Sequence, residues 1–299
     1  MSELEAYQRA GSIAASVLKF AQEITKEGIK VIDLCEELEE KIKKLGGLPA
    51  FPCNVSQNDE AAHYTAGISD TKIILPGSTV KIDIGVHING YIADTALTIA
   101  LSQDEMLMAK VNEQLLYEAI KSVKAGGRIG AVGDTVESEA LRQGFRPISN
   151  LSGHQLDRYT IHAGVSVPNV RENIPQNFKQ SCAYAIEPFL VSRQASGWVV
   201  NHGGGNIFRL TTRKRTKDAN IDQLTDYIWS NFKTLPFTPR WLVKDFKEEF
   251  VKKAIKELES KRIIMEYPIL VESSGAKVTQ FEHTIYVGEN RTIITTLAV

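Results

Sequence analysis

The feature that most constrains the fold is an internal repeat, because the chain resembles itself after a shift of 98 residues. The matched positions are glycines that stop helix-like segments, apolar residues within those segments and a proline that follows them. The pairs are Gly28 and Gly126, Val31 and Ile129, Leu34 and Val132, Leu38 and Val136, Glu39 and Glu137, Gly46 and Gly144, and Pro49 and Pro147. The repeat predicts a duplicated unit of two helices followed by a β-hairpin, and hence an α+β fold with pseudo-twofold symmetry.

Amphipathic patterns predict the helices of each unit, because apolar residues recur at helical spacing and glycines follow them. Charges alternate on the polar face of the second helix, which predicts a solvated surface there. The predicted helices span 7–27, 32–45, 104–124 and 135–143.

The hairpin of the first unit falls at 80–101, where two apolar strands flank Asn89 and Gly90. Both residues tolerate the positive φ of a type I′ turn, so a two-residue turn is predicted. That turn makes Asp83 and Asp94 diagonal neighbours on one face, with Cβ atoms roughly 7 Å apart or less. Two acids so placed in apolar strands are costly unless a positive charge neutralises them.

The second unit places two further acids at corresponding positions. AIEPF aligns with the first strand of the hairpin, and FEHTI aligns with the second, so Glu187 corresponds to Asp83 and Glu282 to Asp94. Four carboxylates balance two divalent cations, which predicts a two-metal site. Oxygen-rich ligands favour manganese, iron or cobalt, and zinc remains open.

Histidines add candidates around these acids. His63 meets His162 in the repeat after a gap of one residue, and His154 and His162 share the polar, glycine-flanked segment SGHQLDRYTIHAG. A polar segment with flanking glycines suits histidines that are exposed and take part in catalysis or binding. His87 beside the turn and His283, which points away from Glu282 on its strand, are predicted to be structural.

A long interruption separates the two strands of the second hairpin, between Glu187 and Glu282. It contains HGGG with His202, whose role the sequence leaves undecided, and helical patterns over 221–232 and 242–258. It predicts a compact helical subdomain inserted at a hairpin tip, where insertions are best tolerated. The basic run at 213–217 could contact RNA or the ribosome, although solvated charge is its more common role.

Composition excludes several function classes. The chain has 299 residues, 43% of them hydrophobic and 24% charged, with a formal net charge of −1, so no overall charge favours nucleic acid or a membrane surface. Three dispersed cysteines, Cys35, Cys53 and Cys182, fit reduced intracellular thiols. No stretch reaches the length of a membrane span or resembles a signal peptide, and we expect a cytoplasmic protein.

At this point several motifs together resemble a known family. AFPCNVSQNDEAAHYT, KIDIGVHINGYIADTALT, SGHQLDRYTIHAGVSVP, YAIEPF and QFEHTI are similar, in order and spacing, to the signatures of type II methionine aminopeptidases of the archaeal kind. The resemblance covers nearly the whole chain and implies the pita-bread fold, a curved antiparallel sheet covered by helices, with a small winged-helix-like insert. It also implies a catalytic domain of 1–203 and 267–299 and an insert subdomain of 204–266.

The resemblance further implies the site residues. Five positions match the family's metal ligands: Asp83, Asp94, His154, Glu187 and Glu282. Asp94 and Glu282 would bridge two divalent ions, Asp83 would bind one ion, and His154 with Glu187 would bind the other. The ions could be cobalt, manganese, iron or zinc.

The remaining matched positions surround those ligands. His63 and His162 correspond to active-site histidines that are not ligands, and Glu187 to the catalytic acid and base. Phe51 and Tyr267 correspond to residues that line the pocket for the methionine side chain. CNVSQNDE, SGHQLDRY and HGGGNIFRL depart from the family pattern, which affects the shape expected of the pocket.

The implied activity is removal of the N-terminal methionine from nascent proteins, preferentially before a small second residue, by a hydroxide held between two metal ions. The chain's own Met1-Ser2 start suits that preference. The expected protein is a monomer that contacts the ribosome at most transiently. Two alternatives remain open: an Xaa-Pro aminopeptidase or prolidase-like enzyme, and a non-catalytic ribosome- or RNA-binding protein of the same fold.

Overall fold

Residues 1–297 are described in a computed structural model. The helices are α1 (Glu3–Ile24), α2 (Val31–Lys44), α3 (Gln103–Lys121), α4 (Gly130–Arg142), α5 (Ala219–Phe232), α6 (Pro239–Leu242) and α7 (Glu248–Ser260). The strands are β1 (Leu48–Gln57), β2 (Glu60–Ala62), β3 (Thr79–Ile88), β4 (Tyr91–Ala100), β5 (Phe145–Pro147), β6 (Ser152–Leu156), β7 (Ser166–Pro168), β8 (Cys182–Ile186), β9 (Phe189–Ser192), β10 (Val199–Asn201), β11 (Ile207–Leu210), β12 (Ile264–Tyr267), β13 (Leu270–Glu272), β14 (Thr279–Gln280), β15 (His283–Val287) and β16 (Thr292–Ile294). Every paired strand is antiparallel, which confirms the predicted α+β class.

The repeat is visible in the helices and in the glycines that follow them. Helices α3 and α4 occupy the positions of α1 and α2 in the second unit. Gly28 and Gly126 have φ angles of 79° and 73°, and Gly46 and Gly144 have φ angles of 86° and 84°. Only glycine adopts this left-handed conformation without strain, so equivalent glycines end equivalent segments.

The first hairpin has the predicted register. Asp94 lies opposite Gly85 and Asp83 opposite Ala96, and β3 and β4 are joined by Asn89 and Gly90. These turn residues have φ angles of 53° and 90°, as a type I′ turn requires.

The second hairpin pairs β8 with β15. Ile186 lies opposite His283 at the end of the ladder where the long connection joins the two strands. It forms the centre of a five-stranded sheet in the order β16-β15-β8-β6-β7, whereas β3 is the middle strand of the sheet β1-β3-β4. Glu187 therefore lies one residue after this pair on one strand, and Glu282 lies one residue before it on the other.

The two hairpins meet at a seam between β4 and the segment that enters β15. Glu282 and Ala96 form an isolated antiparallel bridge, in which the Glu282 N–H donates to the Ala96 carbonyl at 2.9 Å. On the other side of the pseudo-twofold axis, the Thr284 hydroxyl accepts from the Asp94 N–H and donates to the Asp94 carbonyl, both at 2.7 Å. Asp94 and Glu282 thus hold equivalent positions at the contact between the units.

Helices cover the outer face of the sheet β1-β3-β4. The apolar side of α1 packs on β3 and β4, and α2 packs on β1. One hydrophobic cluster runs through both units, from Ala10 and Val17 of α1 to Leu115 of α3 and Ile285 of β15. This cluster joins the two units into one core.

The long interruption has a core of its own. Residues of α5, α6, α7 and the two-stranded sheet β11-β12 form a separate cluster, with Leu224, Trp241 and Ile255 among them. The division at 203/204 and 266/267 stays a prediction, although this cluster agrees with it. The predicted helix over 242–258 was wrong in its first turn, because α7 begins only at Glu248.

Several other helix bounds differ from the sequence prediction. Helix α1 begins at Glu3 rather than at 7, and α3 ends at Lys121 rather than at 124. Helix α1 ends at Ile24 rather than at 27, since Thr25 is extended and its hydroxyl donates to the Ala21 carbonyl at 2.7 Å. Helix α4 begins at Gly130 rather than at 135. No candidate site residue lies in the stretches where the predicted and observed helix bounds differ.

Candidate metal centre

One cavity of about 350 Å³ brings together every site residue predicted from the sequence. Both hairpins and the insert contribute to its walls. Its lining includes Phe51, His63, Asp83, Asp94, His154, His162, Glu187, Tyr267 and Glu282.

The acids and one histidine cluster at the floor of this cavity. Asp94, His154 and Glu282 each offer a donor atom, and these atoms lie within 4.8 Å of one another. His154 Nε2 is 3.6 Å from Asp94 Oδ2 and 3.4 Å from Glu187 Oε1. Asp83 Oδ1 and Glu282 Oε1 are buried without a hydrogen-bond partner.

Burial disfavours the charged form of every carboxyl in this group. It raises the pKa of Asp83 to about 7. It also raises the pKa of Asp94, Glu187 and Glu282, and repulsion among the carboxylates adds to each rise. A cluster of this kind is stable as carboxylates only when a cation offsets their charge.

The donor set fits divalent metal ions. The carboxylate oxygens are buried, close together and partly unpartnered. Burial, followed by the neighbouring His162, lowers the pKa of His154, so its imidazole is neutral and can act as a ligand. Oxygen donors with a single imidazole are typical of manganese, iron and cobalt sites.

Two further histidines stand beside Tyr267. His63 Nδ1 is 3.1 Å from the Pro268 carbonyl. The centroid of the His162 ring lies 4.4 Å from that of His154 and 6.0 Å from that of Tyr267. His63 has a φ of 67°, a conformation rare outside glycine that marks a constrained backbone.

Phe51 packs against the first hairpin in a way that requires glycine at the facing position. A Cβ placed on Gly85 would lie 2.3 Å from Phe51 Cε1. Gly85 is opposite both Phe51 on β1 and Asp94 on β4. The missing side chain therefore lets the aromatic wall approach the acids.

The sequence did not single out several residues of the site. Asn54 lies opposite Asp83 on β1, lines the cavity and has a buried Oδ1 without a partner. Gln280 donates to Glu282 Oε2 at 3.2 Å, and its hydrogen bond to Asp83 holds down the pKa of that acid. Ile207 and Pro236 of the insert complete the wall. Gln280 had a signal, since it lies two residues before Glu282 and shares its face.

The histidines predicted to be structural have structural contacts. His87 Nδ1 accepts from the Gly90 N–H at 3.1 Å within the first hairpin. His283 bonds to the Thr296 hydroxyl at 2.8 Å and the Tyr117 hydroxyl at 3.1 Å. His202 is exposed and does not line the cavity.

The two arginines of the basic run are paired within the insert. Arg213 and Arg215 both pair with Asp226, at 3.4 and 2.8 Å. The guanidinium of Arg213 also lies 4.8 Å from the ring centroid of Trp229. These contacts agree with the prediction of solvated surface charge.

The predicted solvated face of α2 was wrong at one position. Glu39 is only 4% exposed and accepts from both terminal nitrogens of Arg240, at 2.9 and 2.8 Å, and from Trp241 Nε1 at 2.7 Å. The Cys53 N–H donates to the same carboxylate at 3.1 Å. This buried cluster fixes α6 of the insert to the first unit.

Two related hairpins that gather four carboxyls and an imidazole define a metal-dependent hydrolase. The sequence model of metallopeptidase family M24 matches residues 5–222, and the chain belongs to that family.

The similarity to individual proteins extends over the whole chain. A methionine aminopeptidase of Thermococcus kodakarensis is 41% identical over 99% of this chain and 100% of its own length. The structure of a thermophilic Arx1 covers 98% of this chain and 90% of that one, with a TM-score of 0.81 at 18% identity. The crystal structure of a methionine aminopeptidase of Thermotoga maritima has a TM-score of 0.67 at 21% identity and covers 98% of this chain and 96% of that one. These matches confirm the predicted pita-bread fold.

Within residues 1–297, no helix combines the length and the apolar character that a membrane span requires.

Proposed function

We propose that this chain removes the N-terminal methionine from nascent polypeptides as a metal-dependent aminopeptidase. One observation carries the proposal: a methionine aminopeptidase matches the chain over its full length at 41% identity. The cavity supports it, because all nine residues expected for such an enzyme line the same walls.

The proposed ligands are Asp83, Asp94, His154, Glu187 and Glu282. They would hold two divalent ions, and two of these acids, Asp94 and Glu282, lie at the seam between the units. Ions bound there would supply Lewis-acid polarisation and lower the pKa of water.

His63 is proposed to orient the peptide bond that is cut. The Pro268 carbonyl can only accept, so Nδ1 carries the hydrogen and donates to it. Burial lowers the pKa of His63, so the ring is neutral at pH 7 and Nε2 is left as an acceptor. It would accept from the N–H of the scissile amide.

Glu187 and His162 are proposed to handle the proton and the developing charge. Glu187 is buried, and its raised pKa suits a carboxyl that takes a proton and returns it to the leaving amine. Burial lowers the pKa of His162 to about 4, so the ring is neutral at pH 7. It can then donate one N–H to the oxyanion.

The aromatic wall is proposed to select methionine. Phe51 and Tyr267, with Ile207 and Pro236 of the insert, give an apolar lining that suits an unbranched thioether. The free α-amino group would bind beside the acids, which restricts cleavage to the first residue. A small second residue would be preferred because the cavity volume is limited.

The cellular setting is also proposed. We expect the protein to act as a cytoplasmic monomer with at most transient ribosome contact.

Release of methionine from Met-Ala-Ser by purified protein loaded with manganese or cobalt tests the activity. We expect turnover of this peptide and none of a matched Xaa-Pro peptide. Cleavage of the Xaa-Pro peptide alone would replace the proposal with a prolidase-like activity. Tight ribosome binding without any release would indicate a binding protein.

A further inference from the structure

The two-stranded ribbon β11-β12 has two different faces. Phe208, Leu210 and Ile264 belong to the hydrophobic cluster of the insert. Ile207 and Tyr267 lie directly opposite each other on the other face and line the cavity. The ribbon therefore forms a wall between the insert core and the candidate site.

Arg209 lies on the same face of the ribbon as Ile207, which lines the cavity. It is two residues from Ile207 and so points to the same side, and its partner Met265 makes it a diagonal neighbour of Tyr267. Burial raises the pKa of Tyr267, and the nearby Arg209 charge opposes that rise. The same charge contributes to the lowered pKa of His162, after burial and His63.

No carboxylate of residues 1–297 forms a salt bridge with Arg209, whereas Arg213 and Arg215, a few residues on, share Asp226. The side chain is half-buried. An arginine is always charged and presents a rigid fork of donors that matches a carboxylate. Within residues 1–297, Arg209 is thus a cation without a carboxylate partner that lies beside Tyr267, a residue of the cavity wall.

The substrate chain has to leave the cavity past such an edge. Methionine occupies the aromatic pocket in the proposed function, on which this inference rests. An extended chain advances roughly 3.3 Å per residue, so the third residue lies roughly 7 Å beyond the first. Diagonal neighbours such as Tyr267 and Arg209 have the same separation.

We propose that Arg209 binds a carboxylate of the substrate on the C-terminal side of the scissile bond, and that the enzyme therefore favours an acidic third residue. Arg209 lies in HGGGNIFRL, a segment that departs from the family pattern. The preference would be a property of this chain's own insert.

A pair of peptides tests this assignment, Met-Ala-Glu-Gly-amide and Met-Ala-Gln-Gly-amide, in which the amide removes the terminal carboxylate. We expect the wild-type holoenzyme to favour the Glu peptide about fivefold in kcat/KM, the scale of a partly exposed ion pair. In Arg209→Gln the ratio should fall to about one, because only the Glu peptide loses an ion pair. Arg213→Gln removes the same charge elsewhere in the insert and should keep the fivefold ratio.

Three results would overturn the assignment. The ratio could be the same in the wild type and in Arg209→Gln. Arg209→Gln could lower turnover of both peptides equally, which would indicate a structural role. Arg213→Gln could abolish the ratio, which would indicate a long-range charge effect. If the wild type releases no methionine from either peptide, the proposed function itself fails.

Discussion

The two hairpins of this molecule correspond in the repeat but differ in how their strands are joined. The first closes with Asn89 and Gly90, whereas the strands of the second are joined through everything between Ile186 and His283. Each hairpin places two acids at the cavity floor. Only the second connection supplies walls, through Ile207, Pro236 and Tyr267. The comparison indicates that the repeat provides the acids, and that the insertion adds one side of a pocket to which Phe51 of the first unit also contributes.

Loss of a seam acid should have the largest effect. Asp94→Ala and Glu282→Ala remove equivalent carboxylates, and we expect each to lower kcat/KM at least about a thousandfold and to lower bound metal. Metal analysis beside peptide turnover measures both. Asp134→Ala, a surface acid paired with Arg171, serves as the control. A large loss in only one of the two variants would show that the units are not equivalent.

The repeat-related acids of α2 and α4 should differ in stability. Glu39→Gln leaves the 3% exposed Arg240 without its buried carboxylate, and we expect a loss of about 3 kcal/mol in the free energy of unfolding. Glu137→Gln weakens an exposed hydrogen bond from the Arg171 N–H and should cost less than about 0.5 kcal/mol. Urea unfolding of both variants measures the difference, and equal losses would contradict the role given to the buried cluster.

Truncation of the insert wall should change substrate binding rather than chemistry. Ile207→Ala enlarges the cavity on the methionine side, so we expect KM for methionine peptides to rise about fivefold with kcat within about twofold. Steady-state kinetics on Met-Ala-Ser checks this. A fall in kcat at unchanged KM would contradict the separation of walls from chemistry.

Asp83 should cost the metal-free protein stability as the pH rises. Burial raises the pKa of Asp83 from 3.8 to about 7, so the folded state holds a proton that the unfolded state has released. This contribution to stability therefore falls between about pH 4 and pH 7, whereas buried histidines such as His63, whose pKa is lowered by burial, contribute in the opposite direction. We expect the Tm of apo Asp83→Asn, relative to that of the wild type, to rise by at least about 2 °C between pH 5.5 and pH 7.5.

Asp83→Asn removes this titration while keeping the shape of the side chain, so only the titrations of the other groups remain in the variant. A Tm difference between the two proteins that does not change with pH would contradict the role given to Asp83. The comparison isolates the first hairpin's contribution to the buried charge.

The sequence allowed prediction of what depends on local rules and on the repeat. The Asn-Gly turn fixed the register of β3 and β4, and the glycine stops matched between units. Asn54 escaped because β1 pairs with β3 through two irregular steps, between Pro49 and Phe51 and between Phe51 and Asn54. No alternation survives such irregularities, so the face of Asn54 could not be inferred.

The other misses are non-local contacts. The ribbon β11-β12 joins short segments separated by the whole helical core of the insert, and its pairing leaves no pattern in either one. The sequence places Glu39 on the charged face of α2, because its partner Arg240 is 201 residues away in the chain. Neither contact follows from residues near to it in the chain.

The seam has the form of an isologous interface. The Glu282 contact to Ala96 and the Asp94 contact to Thr284 are exchanged by the pseudo-twofold axis, as patches are exchanged between the subunits of a homodimer. Two copies of a single ancestral unit, joined through these contacts, would already gather four acids on their symmetry axis. Fusion of such copies frees one hairpin loop to diverge, and that asymmetry is what a dimer of identical chains cannot acquire.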